Sequence, residues 1–160
     1  MFQVDFSKAL SEVSVLLKTN VPTLMGLEKV CSILRKHIKH YDWVGFYFAN
    51  FKKQTLNLKA FSGNPAEHTE IPFGKGICGQ VAVSNKNFVV PDVLAQDNYL
   101  ACSIDVRSEI VIPLFLKGKN IGQIDIDSKK TDPFTSKDSI FLETVCALIS
   151  KTYNTSLLYL

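Results

Sequence analysis

Two thiols and three strand-borne carboxyl groups within one stretch of this sequence, residues 71 to 128, could do chemistry together. Cys78 and Cys102 are the thiols, and Glu109, Asp125 and Asp127 are carboxylates that each adjoin Ile or Val in strand-like runs. A carboxylate beside an apolar strand is costly to desolvate unless something pairs with it. A pocket for a small polar ligand would supply that partner, and a redox-active thiol pair would make the pocket an enzyme. Each residue also has a plainer reading. Cys102 could be an ordinary loop cysteine and Cys78 a buried helix residue. Asp125 and Asp127 could line a solvated strand face, Glu109 could pair with Arg107, and Trp43 and Tyr47 could be core aromatics.

Around these residues the composition is that of a globular protein. One hundred and sixty residues, 46% hydrophobic and 21% charged, suit one domain spanning 1–160 that buries a sizeable core without covalent staples. A formal charge of +3 is too small and too evenly spread to argue for nucleic acid. The densest basic cluster, Arg35-Lys36-His37, reads as a solvated helix face and is not interleaved with aromatics. No run of 18 or more apolar residues suggests a membrane span. Met1-Phe2-Gln3-Val4-Asp5 lacks the basic start and apolar core of a secretory signal, so the chain reads as cytoplasmic, where thiols stay reduced. The four cysteines lack the paired C-x-x-C spacing of a structural zinc site, so no metal site is indicated. No organic cofactor is called for either.

The elements that must carry the site follow from periodicity. Phe6, Leu10, Val13 and Leu17 share one face of a helix over 5–18. A second helix from about Thr23 carries Leu24, Leu27, Val30, Cys31, Leu34 and Ile38, with His37 and His40 near its end. Trp43 to Phe48 is a strand, and Leu56, Leu58 and Ala60 alternate with polar residues in the next, which makes an antiparallel hairpin. Residues 62–70 read as a loop. Gly74-Lys75-Gly76 precedes a short helix holding Cys78, where exposed N–H groups would favour an anion or a thiolate, although a tight turn explains the glycines equally well. Phe88 to Val90 is a short strand, and residues 93–108 form a connection long enough to cover a pocket. Glu109 to Leu116 is a strand in which Pro113 suggests an edge or a bulge. The returning strand places Gln123, Asp125 and Asp127 on one face and Ile124 and Ile126 on the other. Thr135 to Asp138 forms a capping box for a last helix bearing Phe141, Val145, Leu148 and Ile149, beside Cys146. Hairpin-joined strands with helices gathered at the ends argue for an α+β fold with an antiparallel sheet. The apolar stripes of the first and last helices would suit a homodimer, and core packing explains them equally well.

Laid out in this way, the chain resembles the GAF domain family, and more narrowly the single-domain GAF proteins that reduce free methionine-R-sulfoxide. The resemblance runs over nearly the whole chain. It is carried by Trp43-Val44-Gly45-Phe46-Tyr47, Ile71 to Gly79, Ala101-Cys102, Ser108 to Val111 and Ile124 to Ser128. It implies a GAF-like antiparallel sheet flanked by helices, a nucleophilic thiol at Cys102 and a partner thiol at Cys78. It further implies that Glu109, Asp125 and Asp127 hold the ligand, with Trp43 and Tyr47 near it. That family usually has a third cysteine shortly before the Ile-Pro matched by Ile71-Pro72, where this sequence has Glu67-His68-Thr69.

Two functions are therefore carried forward. In one, a Cys102 thiolate attacks the sulfoxide sulfur, methionine leaves, and Cys78 converts the resulting sulfenic acid to a disulfide that a thioredoxin-like donor reduces. In the other, the chain is a small-molecule-binding or redox-sensing module without catalysis.

Overall fold

The computed structural model describes residues 4–100 and 105–160. Two helices open the chain, α1 (Phe6–Leu17) and α2 (Thr23–His37). Asp5 caps α1 by accepting a hydrogen bond from the Ser7 amide (3.1 Å), and Ile38 ends α2 by turning to an extended conformation. The strands β1 (Trp43–Asn50) and β2 (Thr55–Ser62) follow, joined through Gln54 in a left-handed conformation. Then come β3 (Glu70–Pro72), the short helix α3 (Gly76–Ser84) and β4 (Phe88–Val90). The last hairpin, β5 (Ser108–Leu116) and β6 (Lys119–Ser128), turns on Lys117-Gly118 with φ of 51° and 80°, the backbone a two-residue hairpin needs. The helix α4 (Ser136–Tyr153) follows, opened by the capping box of Thr135 and Asp138.

All six strands pair antiparallel in the order β3-β2-β1-β6-β5-β4. The architecture is the expected α+β one. The period-two alternation of the central strands separates two cores. On one face Val44, Phe46, Ile110, Ile112, Ile124 and Ile126 pack with the buried stripes of α1, α2 and α4. Each fully buried aliphatic side chain there is worth roughly 1.5–3 kcal/mol. On the other face Trp43, Tyr47 and Val111 pack with Ile77, Cys78 and Val81 of α3. Cys31 and Cys146 belong to the helical side and are buried hydrophobes, Cys31 from within the α2 stripe and Cys146 from beside that of α4.

One local expectation changes, whereas the edge or bulge expected at Pro113 is met by the end of the β4 pairing and by a register shift between Leu114 and Phe115. The stretch read as a loop ends in β3, where Ile71 pairs with Leu56, a contact too short in sequence extent to show a period. Pro113 lies within a central strand, yet β4 pairs with β5 only at residues 109–111. At Pro113 the strand is bonded to β6 alone, so its missing N–H disturbs no ladder on the open side. Among the described residues no helix is long and apolar enough to cross a membrane.

Candidate functional site

The second face of the sheet gathers the polar residues singled out in the sequence. Register sets their neighbours. Asp127 lies opposite both Glu109 on β5 and Trp43 on β1, and Asp125 lies between Val111 and Gly45. Gln123 faces Tyr47 across the β1–β6 pair. Residues directly opposite on paired strands point to the same side of the sheet. Two aromatics, three carboxyls and one amide therefore share a single patch.

α3 closes over that patch. Gly74 and Gly76 adopt φ of 84° and 63°, conformations that side-chain-bearing residues rarely take, and they turn the chain from β3 into the helix. Asn98 fastens this turn, accepting from the Gly76 amide and donating to the Gly74 carbonyl, both at 3.0 Å. The helix then delivers Cys78 onto the acids. Its sulfur lies 3.2 Å from Asp125 Oδ2 and 3.7 Å from Glu109 Oε1. The thiol thus lies against carboxyl oxygens, a setting the sequence-based expectation of a helix-terminus anion site did not include.

None of the three acids lines a wet strand face. Asp125 is 0% exposed, Asp127 2% and Glu109 4%. Arg107 does not neutralise Glu109, because its guanidinium reaches Asp92 instead, at 3.5 Å. Burial, followed by the charges of Asp125 and Asp127, holds the Glu109 carboxyl well above the usual carboxylate range. Asp127 is raised in the same way, by burial and then by Asp125 and Asp42. Asp125 is pushed up to about 6 by burial, with hydrogen bonds from Glu109 and Cys78 holding it lower than it would otherwise be. The hydrogen bond between Glu109 and Asp125 raises the first and lowers the second. Asp125 Oδ1 and Asp127 Oδ2 are buried and have no hydrogen-bond partner among the described residues.

The aromatics are anchored at their polar ends. The Trp43 indole N–H donates to the Asn64 carbonyl (3.0 Å), and the Tyr47 hydroxyl donates to the His68 carbonyl (2.9 Å). Both bonds tie the 63–69 connection over the edge of the patch, so these residues do more than fill a core. The indole lies across Gly45, where a Cβ would stand 2.1 Å from Trp43 Cη2. A partly open recess of about 40 Å³ runs between Trp43, Asn64, Val106 and Asp127, which is room for a few water molecules. Larger recesses of about 310 and 400 Å³, beside Phe48 and Leu157 and beside Val15 and Ile33, carry none of these groups.

The structure thus brings Cys78, Glu109, Asp125, Asp127, Trp43 and Tyr47 to one side of the sheet. Cys102 lies outside the described residues. Gln123 is an addition. It is fully buried on the same face, with neither amide atom hydrogen-bonded among the described residues. Its period-two relation to Asp125 was visible in the sequence, but its burial was not. Asn98 is a second addition, and a lone loop asparagine gave no signal of its role.

Comparison with known proteins shows the family. The profile of the GAF domain family, GAF_2, matches residues 27–152. The chain is 34% identical to the free methionine-R-sulfoxide reductase of Escherichia coli over 133 residues, covering 83% of this chain and 79% of that protein. It is 39% identical to the free methionine-R-sulfoxide reductase of Saccharomyces cerevisiae over 113 residues, covering 69% of this chain and 62% of that one. The structure of the free methionine-R-sulfoxide reductase from Neisseria meningitidis in complex with its substrate superimposes with a TM-score of 0.89 at 30% identity. That match covers 100% of this chain and 98% of the other. A six-stranded antiparallel sheet backed by helices, a profile match over most of the chain and relatives at this level of identity lead to one conclusion: the chain belongs to the GAF domain family.

Proposed function

We propose that this protein reduces free L-methionine-R-sulfoxide to methionine, with Cys102 as the nucleophile and Cys78 as the thiol that resolves the intermediate. The observation that carries this reading is the contact of Cys78 with a buried carboxyl pair, in a chain whose relatives include named free methionine-R-sulfoxide reductases.

The Cys102 thiolate attacks the sulfoxide sulfur, and the oxygen needs a proton because it is otherwise a poor leaving group. A carboxylic acid with a raised pKa supplies it, and burial with the neighbouring carboxylates raises that of Glu109. The bond between the two sulfurs breaks as the protonated oxygen passes to the Cys102 sulfur, so methionine departs with its sulfur reduced and Cys102 is left as a sulfenic acid. The Cys78 thiol attacks that sulfur, water leaves, and a Cys78–Cys102 disulfide forms. A thioredoxin-like dithiol returns both cysteines to thiols and is itself oxidised. The remaining acidic groups have a use before the chemistry. An amino acid's ammonium seeks carboxylates, and Asp125 and Asp127 each offer a buried oxygen without a hydrogen-bond partner among the described residues. Trp43 and Tyr47 would close the apolar side of such a ligand. With one ligand and one thiol pair, the reaction calls for neither metal nor organic cofactor.

The test is consumption of free methionine-R-sulfoxide with a dithiol donor, comparing wild type with Cys102→Ser. Turnover in the wild type that is lost in the variant supports the reading. No turnover in the wild type removes it and leaves a non-catalytic small-molecule-binding or redox-sensing module.

A further inference from the structure

We propose that Cys78, Glu109 and Asp125 form a binding site for a zinc ion, with one coordination position left for water. The spacing of cysteines in the sequence gave no hint of it, because the three ligands come from α3, β5 and β6.

The geometry fits the ion. One ligand atom from each residue lies within 4.8 Å of the other two. The sulfur-to-oxygen distances are 3.2 Å to Asp125 Oδ2 and 3.7 Å to Glu109 Oε1. Tetrahedral zinc, with bonds of about 2.3 Å to sulfur and about 2.0 Å to oxygen, separates such ligands by about 3.5 Å. The two observed sulfur-to-oxygen distances bracket that value.

A second observation points to a cation. Asp125 Oδ1 and Asp127 Oδ2 are buried without a hydrogen-bond partner among the described residues, and a buried oxygen of that kind is stabilised by a positive charge at the cluster. One thiolate with two carboxylates selects a borderline-soft ion. Magnesium and calcium take oxygen ligands and do not favour sulfur. Binding releases the Cys78 thiol proton and the proton held between Glu109 and Asp125 to solvent.

A Cys78 sulfur bound to zinc cannot close a disulfide. Zinc would then act as a reversible inhibitor, a consequence that rests on the proposed reductase reaction, whereas binding itself does not.

The test uses metal ions alone with the reduced full-length protein. Cobalt(II) is expected to give a thiolate-to-metal absorption band at one ion per chain, and zinc is expected to displace it. Cys78→Ser should remove the band, and it should weaken zinc binding by more than the ~10–100-fold typical of losing an outer-sphere partner. Cys31→Ser should keep both. No band in the wild type, or an undiminished band in Cys78→Ser, overturns the site. Should Cys78→Ser fail to fold by circular dichroism, Glu109→Gln takes its place. A folded Glu109→Gln that binds zinc as tightly as the wild type overturns the proposal equally.

Discussion

The sulfur of Cys78 lies 3.2 Å from Asp125 Oδ2, although the two residues are 47 positions apart and sit on a helix and a strand. Under the proposed reaction this contact holds the resolving thiol among groups that exchange protons. Replacing it isolates one half of the cycle. In Cys78→Ser, whose hydroxyl can still donate to Asp125, the first methionine should form, and product should stop at about one per active site with a thioredoxin-like donor. Rapid-quench measurement of methionine, with trapping of the sulfenic acid, checks this outcome.

The buried acids predict a pH dependence of stability. Asp125 is raised from an ordinary 3.8 to about 6, so the folded state binds more protons than the unfolded state between those values. Stability from this group is greatest below about pH 4 and declines as pH rises through 6. Two pH units of displacement correspond to a loss on the order of 3 kcal/mol by neutral pH. Asp125→Asn should lack that decline, and chemical denaturation of both proteins from pH 4.5 to 7.5 compares the slopes. Equal slopes would place the titration elsewhere.

Gly45 leaves space that the Trp43 indole fills, and a Cβ there would meet the ring at 2.1 Å. Gly45→Ala should displace the indole and cost about 1–3 kcal/mol through overpacking. Urea denaturation measures the cost. A shift in tryptophan emission reports the movement, since Trp43 is the chain's single tryptophan.

Asp138 joins the start of α4 to the turn before β1. It accepts from the Thr135 amide at 2.8 Å and from the Tyr41 hydroxyl at 3.0 Å, and it bonds His40 Nε2 at 2.9 Å. Asp138→Ala removes a helix cap and strands two buried polar groups, so a loss of about 2–4 kcal/mol is expected. Asp138→Asn keeps an acceptor and should lose less. The difference between the two in denaturant midpoints is the check.

Burial pushes the thiol of Cys146 up to about 12 and raises that of Cys31 further, each through desolvation first. Native iodoacetamide treatment at pH 8 should modify neither, because the thiolate is the nucleophile. Mass spectrometry before and after unfolding distinguishes protection from slow chemistry.

Much of this was written in the order of residues. The alternation of Gln123, Asp125 and Asp127 with Ile124 and Ile126 fixed which side chains share a face, since a strand's period of two depends on backbone geometry alone. The α2 stripe, the capping box at Thr135 and the hairpin at Lys117-Gly118 are likewise local, and the resemblance of the 71–128 segments identified the family. Tertiary structure decided which face is wet. The sequence allowed Asp125 and Asp127 to be solvated, and their burial results from α3 packing across β5 and β6, a contact between distant segments. The same holds for Arg107 turning to Asp92, for β3 pairing with β2, and for the sulfur of Cys78 meeting oxygens from two strands. A carboxyl's charge state depends on everything that displaces water from it, and for these acids that material comes from distant parts of the chain.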